Sequence, residues 1–532
     1  MDPQLVTISE ACEWASNYLN RKVTSSNIGY LIQYAKVTKH EDNTHTIRID
    51  IEELKNYYDN NILSKQDIWV KKLGEDIDWE LSFDGLSESE RTKHVHRLHP
   101  YKGKFIPQLV EYFLDNHVDK FKKETYFERG DIILDPFMGS GTTLVQAAEL
   151  GINSIGIDVS EFNCLIARVK TDIYDVFTLK YKLEGAFSKL QTFSEKSFDD
   201  KFDIELRNRI SSFNSINFPV RDYKRQVYSN EIEEKSYSKQ KLSEFFDLNN
   251  EFLEKNGLRR DAQLIETDDI SGFISKWFTK RIQQEISFYI GLIEEEQDQK
   301  IANVMKIILS RTARSCRATT HSDLATLVEP QYGPYYCSKH FKICTPINSI
   351  IRHLRKNTHD TIDRLEQFEK LRDEGTRIWI IHGDSKNVNI GDKLKDENTV
   401  LARRDKRIID GVFTSPPYVG QIDYHEQHAY SYEMFGIPRN DKYEIGSMSL
   451  GKGKKAKEEY VNGISKVLEN ISRFVKPDGN YFIVANDQFN LYPEIAEKSG
   501  FEIIKVFKRP VLNRTERDRQ PYAESIFHMK KK

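Results

Sequence analysis

The chain has 532 residues, of which 38% are hydrophobic and 30% charged, with a formal net charge of −3. That length predicts two or three domains, and the near-neutral balance excludes a globally basic nucleic-acid-binding protein, so any such surface must come from local patches. The five cysteines are an odd, scattered set, which suits a reducing cytoplasm rather than a disulfide framework. The N-terminus shows no basic region followed by an apolar core, and no apolar run is long enough to span a membrane, so a cytoplasmic protein is expected.

Residues 1–60 read as a small separate domain. Thr7-Ile8-Ser9-Glu10 is a capping box that opens an amphipathic helix through Tyr18. A second helix carries Ile28, Leu31 and Ile32 on one face, with Ser25, Ser26 and Asn27 at its polar start. Thr44 to Ile49 alternates like a strand, and Glu52 to Tyr58 is helical. This order resembles excisionase-like or MerR-like winged helices, which implies DNA contact through the second helix; a packing or dimerisation domain is the alternative. Residues 61–90 form a charged connector with Trp69 and Trp79.

Residues 91–171 contain the first half of an α/β nucleoside site. Asp131-Ile-Ile-Leu-Asp135-Pro-Phe137-Met-Gly139-Ser-Gly141-Thr142-Thr143 is an apolar strand running into a glycine turn and a helix, and Ser154-Ile-Gly-Ile-Asp158 is a second strand ending in a carboxylate. The glycines permit close approach to the backbone, and Asp158 can hold ribose hydroxyls. No lysine follows Gly141, which disfavours a triphosphate loop, and Leu144 stands where a dinucleotide fingerprint needs its third glycine. A nucleoside without pyrophosphate fits better.

Residues 172–375 change character and read as a largely helical insert. Arg311 and Arg314 share a helix face, followed by Arg317, Thr319, Thr320 and His321; they suit phosphate contact or guanine reading, against the plainer reading of a solvated face. Cys337, His340 and Cys344 are three potential metal ligands that Cys316 or His321 could complete, but zinc prefers four, so buried structural cysteines are favoured and no metal is assigned.

Residues 376–532 resume the α/β pattern. Arg377 to Asp384 is a strand ending in an acid, and Ile408 to Phe413 is a buried strand that stops at Thr414-Ser415-Pro416-Pro417-Tyr418. Two prolines force a rigid, extended turn, leaving the Ser415 and Pro416 carbonyls free beside an aromatic ring. Such a group suits an exocyclic amino group on a planar base. Gly451 to Lys457 reads as a basic, flexible run, favoured as a mobile lid over DNA carrying Lys454 and Lys455, with a plain loop as the alternative. A helix over Val461–Phe474 ends at Lys476-Pro477-Asp478-Gly479, a strand follows from Tyr481, and two antiparallel strands close the chain around a basic loop of Arg509, Arg514, Arg517 and Arg519.

The Asp135-Pro-Phe-Met-Gly-Ser-Gly-Thr-Thr stretch together with Thr414-Ser-Pro-Pro-Tyr resembles the S-adenosylmethionine-dependent DNA amino-methyltransferases over residues 90–171 and 376–530. The resemblance implies a doubly wound Rossmann-like sheet. It implies S-adenosyl-L-methionine as cofactor, held around Tyr101, Asp135, Phe137, Gly139, Gly141, Thr142, Asp158, Asp384 and Thr414. Catalysis would rest on Ser415, Pro416, Pro417 and Tyr418, and the substrate would be double-stranded DNA. In that family Ser-Pro-Pro-Tyr mostly accompanies N4 of cytosine, whereas Asp or Asn in the first position more often accompanies N6 of adenine. A separately encoded restriction endonuclease is the implied partner, since no nuclease signature is present. An RNA amino-methyltransferase and a non-catalytic DNA-binding regulator are the rival readings. The long insert precedes Asp384, which departs from the familiar arrangements and leaves the subgroup open.

Overall fold

A computed structural model describes residues 4–20, 22–41, 46–60, 72–74, 76–83, 86–101, 103–255, 272–321, 327, 329–393, 407–421, 423–511 and 522–532. The N-terminal lobe has strands β1 (Leu5–Thr7), β2 (His40–Glu41) and β3 (Ile47–Asp50) in the antiparallel order β1-β3-β2. The predicted capping box is present: Thr7 N–H donates to Glu10 Oε2 at 2.7 Å, and Glu10 N–H donates to Thr7 Oγ1 at 3.3 Å. The helices Ile8–Tyr18, Ser25–Gln33 and Ile51–Tyr58 bury Ala11, Ala15, Ile28, Leu31 and Leu54 around Ile49.

The main body is built on a seven-stranded sheet. Its strands are β4 (Ile132–Asp135), β5 (Asn153–Asp158), β8 (Ile378–His382), β9 (Ile409–Thr414), β10 (Val475–Ala485), β11 (Phe501–Pro510) and β12 (Ala523–Lys531). The spatial order is β11-β12-β10-β9-β4-β5-β8. The pairs from β10 to β8 are parallel, and β12 runs antiparallel to both β10 and β11. Strand order reverses between β4 and β9, so the crevice beyond their carboxyl ends is where an open α/β sheet binds ligands. β4 and β9 carry fully buried Ile133, Leu134, Val412 and Phe413, the near-continuous apolar run of a strand covered on both faces.

Two sequence expectations shift here. Lys454 to Lys457 is not a flexible lid but the first turn of the helix Lys454–Ile471. Pro477-Asp478-Gly479 does not break the chain either. It lies within β10, whose pairing with β9 slips between Val475 and Asn480, so an irregularity absorbs the proline.

The helices of the insert pack in two groups. Val176–Ser197, Lys280–Glu295, Gln299–Ser315 and Ile351–Glu369 share one apolar core with Val145, Phe162 and Tyr430 of the sheet-bearing body. Lys201–Asn217, Val220–Tyr228 and Glu234–Lys255 surround a second core, joined by a hairpin of β6 (Tyr335–Cys337) and β7 (Lys342–Cys344). The N-terminal lobe meets this second group where Tyr34 and Tyr228 pack ring on ring, centroids 4.7 Å apart. Among the described residues no helix is long and apolar enough to cross a membrane.

Candidate active site

β4 ends in Asp135, which is 2% exposed. Its Oδ2 accepts from Thr143 Oγ1 at 2.6 Å; its Oδ1 accepts from Thr414 Oγ1 at 2.6 Å and from Phe137 N–H at 3.1 Å. One carboxylate therefore ties together the ends of β4 and β9 and the helix Thr142–Glu149. Burial raises the Asp135 carboxyl to about 6, against these hydrogen bonds. The side chains of Asp135 and Thr414 are buried behind the strand ends.

The glycine turn leaves Asp135 with Gly139 at φ 49° and Gly141 at φ 77°, both left-handed. A Cβ at Gly139 would lie 2.9 Å from Tyr101 Oη, and one at Gly141 would lie 3.0 Å from Ala167 Cβ. The first glycine thus lets Tyr101 close over the turn. The second lets the helix Glu161–Thr171 pack on it. Fully buried Lys170 from that helix donates to the Ser140 carbonyl at 2.6 Å and fixes the turn from behind.

Asp158 ends β5 and faces the cleft. Its Oδ2 accepts from Gly139 N–H at 3.0 Å, and its Oδ1 accepts from Ser160 N–H at 2.8 Å and Asn163 Nδ2 at 3.1 Å. Burial pushes this carboxyl up as well. Asp384 follows β8 and lies on the same cleft, with its Oδ1 accepting from Lys386 N–H at 3.0 Å. The cleft lies beyond the carboxyl ends of β4, β5, β8 and β9, where an open α/β sheet binds its ligand. Tyr101, Phe137, Gly139 and Thr142 line it from the β4 side, and Ser415 and Pro417 from the β9 side.

The diproline end of β9 is held differently. Pro416 is buried, and Tyr418 is half-buried against the apolar core beneath the sheet. Tyr418 Oη donates to Glu524 Oε1 on β12 at 3.1 Å. Glu524 in turn pairs with Arg509 at 3.6 Å. Arg509 is 4% exposed and lies in β11, a correction to its place in a basic loop; Arg514, Arg517 and Arg519 lie outside the described residues. Burial and the Glu524 charge hold the Tyr418 phenol well above its ordinary range.

Several lining groups escape the sequence reading. His425 and Glu444 are both buried on the cleft, with His425 Nδ1 against Glu444 Oε1 and His425 N–H donating to the same oxygen at 2.9 Å. Ser385 donates to the Pro136 carbonyl at 2.6 Å. Asn163 was findable, because it sits five residues after Asp158 on the helix that follows a cofactor strand; Glu444 carries no such signal.

The residues read as DNA contacts separate. Arg311, Arg314 and Arg317 line a groove that shares Tyr101 and Lys104 with the cleft, along with His99, Gln421 and His428. Arg311 is paired with Asp360 at 2.5 Å. His99 Nε2 bonds Ser310 Oγ at 2.8 Å, and Ser310 bonds Ser431 at 2.7 Å, so a buried polar chain ties the arginine helix to the body. Ser25, Ser26 and Asn27 are exposed on the N-terminal lobe, although Asn27 Oδ1 accepts from Thr24 N–H and Thr24 Oγ1, both at 2.8 Å, and so caps its own helix. Lys454 and Lys455 have side chains 92% and 90% exposed.

A family profile described as DNA methylase matches residues 11–169. The Type II methyltransferase M.MjaII of Methanocaldococcus jannaschii is 50% identical over 527 residues, covering 99% of this chain and 97% of its own. M.BsoBI of Geobacillus stearothermophilus is 33% identical over 22% of this chain and 21% of its own. M2.DpnII of Streptococcus pneumoniae is 42% identical over 15% of this chain and 27% of its own. Cleft, strand order and near-full-length relative lead to one assignment: this chain is a DNA methyltransferase enzyme and belongs to the S-adenosylmethionine-dependent DNA amino-methyltransferase family, alongside the Type II methyltransferases.

Proposed function

We propose that this enzyme methylates N4 of cytosine in double-stranded DNA. The observation that carries the reading is the shared wall: Ser415 and Pro417 face the same space as Gly139, Asp158 and Asp384. The residues fit S-adenosyl-L-methionine. Two carboxylates stand at the ends of adjacent strands, suited to ribose hydroxyls and an adenine edge, and Phe137, Ile445 and Val467 provide apolar wall. Tyr101, Phe137, Gly139, Thr142, Asp158 and Asp384 hold the cofactor, with Asp135, Gly141 and Thr414 fixing the strand ends behind them. When bound, the cofactor supplies an electrophilic methyl group.

The rest of the chemistry belongs to the chain. The cytosine amino nitrogen is a weak nucleophile because its lone pair is conjugated with the ring. Ser415 and the Pro416 carbonyl accept its hydrogens, which pyramidalises the nitrogen and aims the lone pair. Pro416 and Pro417 hold these acceptors without the freedom of an ordinary loop. Neither acceptor is a strong base, so the proton leaves after the nitrogen becomes cationic. The base must first flip out of the duplex, at a cost of a few kcal/mol, and stacking on Tyr418 returns roughly 1–3 kcal/mol of it.

Arg311, Arg314, Lys454 and Lys455 supply phosphate contacts, and the N-terminal lobe adds Ser25, Ser26 and Asn27. The serine at 415 favours cytosine over adenine, through the family preference. The Type II names of the relatives support a modification role beside a separately encoded endonuclease. The test is nucleoside analysis of DNA incubated with enzyme and cofactor. N4-methylcytosine is expected; N6-methyladenine would overturn the choice of base, and transfer to RNA alone would overturn the choice of substrate.

A further inference from the structure

Away from the cleft, four metal-ligating side chains converge on the β6–β7 hairpin. Cys337 ends β6, His340 lies in the turn and Cys344 ends β7, while His321 arrives from the segment beyond the arginine helix. Their ligand atoms all lie within 4.8 Å of one another. Cys337 Sγ is 3.8 Å from His321 Nδ1, and Cys344 Sγ is 3.5 Å from His340 Nδ1. Zinc bonds of about 2.3 Å to sulfur and about 2.0 Å to nitrogen set a tetrahedral S–N edge near ~3.6 Å. Both cysteines are free thiols.

The local fold prepares this arrangement. His340 N–H and Phe341 N–H both donate to the Cys337 carbonyl, at 3.1 and 2.7 Å, which folds the turn back over Cys337. Phe341 takes the left-handed conformation, φ 53°, and its ring is buried with Ile343 in the second core of the insert. The hairpin is therefore anchored on its apolar side while its ligands gather on the other.

We propose that Cys337, His340, Cys344 and His321 form a closed, structural zinc site. All four positions of a tetrahedron are supplied by the protein, so no position remains for substrate or water, and the site is not catalytic. In the metal-free geometry the Tyr335 hydroxyl lies 2.7 Å from His321 Nδ1, and loading through that nitrogen exchanges this hydrogen bond for the metal. The other clustered set, His94, His96 and Glu149, lacks this character: Glu149 is held by Lys93 at 2.6 Å and His96 by Gln146 at 2.9 Å. Zinc would staple the segment leaving the arginine helix to the outer group of insert helices. It would also fix Lys342, which borders a groove with Arg352, Arg355 and Lys356.

The test uses the full-length protein, purified without chelator, and elemental analysis. One equivalent of zinc per chain is expected, with most of it lost in Cys337→Ser and in Cys344→Ser, each of which removes one of the four ligands. Cobalt replacement in the unmutated protein should give the strong visible bands of tetrahedral sulfur–nitrogen ligation, a readout that does not depend on a variant folding. Unmutated protein that neither retains zinc, nor takes it up after stripping under reducing conditions, nor yields the cobalt bands would overturn the site, as would an obligate Cys337–Cys344 disulfide.

Discussion

The two strand ends that meet at the cleft are built on different principles. The β4 end is a buried polar hub: Asp135 accepts from Thr143 Oγ1 and from Thr414 Oγ1, each at 2.6 Å, and Lys170 clamps the turn. The β9 end has two prolines where such bonds would be, and it is steadied from a distance by Tyr418, Glu524 and Arg509. A cofactor site must present fixed groups to one ligand on every turnover, which a satisfied buried network provides. A target-base site must admit a flipped nucleotide and still hold its acceptors rigid, which prolines achieve without occupying those acceptors.

If the hub is structural, the largest effect should follow its removal. Asp135→Ala leaves buried hydroxyls and an N–H without a partner, at about 1–3 kcal/mol for each group. Urea unfolding should show a loss of several kcal/mol, with cofactor affinity falling only as the fold does. The hub also has a pH signature. A carboxyl whose folded-state pKa is raised to about 6 favours the fold while protonated, so its contribution is lost as pH rises from about 4 to about 6. Asp135→Asn should remove that component from the stability–pH profile.

Asp158→Ala comes next: it should weaken the ligand site, and it also takes the acceptor from Gly139 N–H, Ser160 N–H and Asn163 Nδ2, so the variant's fold is checked by urea unfolding alongside. A charge-assisted hydrogen bond is worth about 1.5–3 kcal/mol, so calorimetry should show roughly 10- to 150-fold weaker cofactor binding. Unchanged affinity in a folded variant would move the ribose contact elsewhere. On the β9 side, Glu524→Gln weakens the support of Tyr418 without touching the cleft. The methyl-transfer rate should fall by roughly 5-fold, about 1 kcal/mol, with cofactor affinity unchanged. The smallest effect should be Arg314→Ala: a modest loss of DNA affinity, with the salt slope flatter by about 0.9 log unit if one phosphate contact is removed.

The same contrast explains what could be read from the sequence. The β4 side is local: strand, glycine turn, helix and Asp158 fall within residues 131–158, so spacing alone placed them. Even there, the groups that pack on Asp135 and Gly141 are not local: Thr414 and Ala167 arrive from elsewhere in the chain. The diproline turn was legible as a motif, but its bracing by Glu524 was not, since 106 residues separate it from Tyr418. His425 and Glu444 are 19 residues apart and meet only in the folded chain. The lysines at 454 and 455 looked like a loop because of the flanking glycines; the helix they open is set by Tyr460, Val461 and Ile464 packing on the sheet.

The division of labour between the two strand ends is tested most directly at Ser415. Single-turnover methyl transfer to duplex DNA at saturating cofactor should fall about 10²–10³-fold in Ser415→Ala, the cost of one contact at a reacting group, while the cofactor dissociation constant stays at its unmutated value. A variant that transfers methyl groups at the unmutated rate would contradict the account and leave the diproline turn as a structural corner.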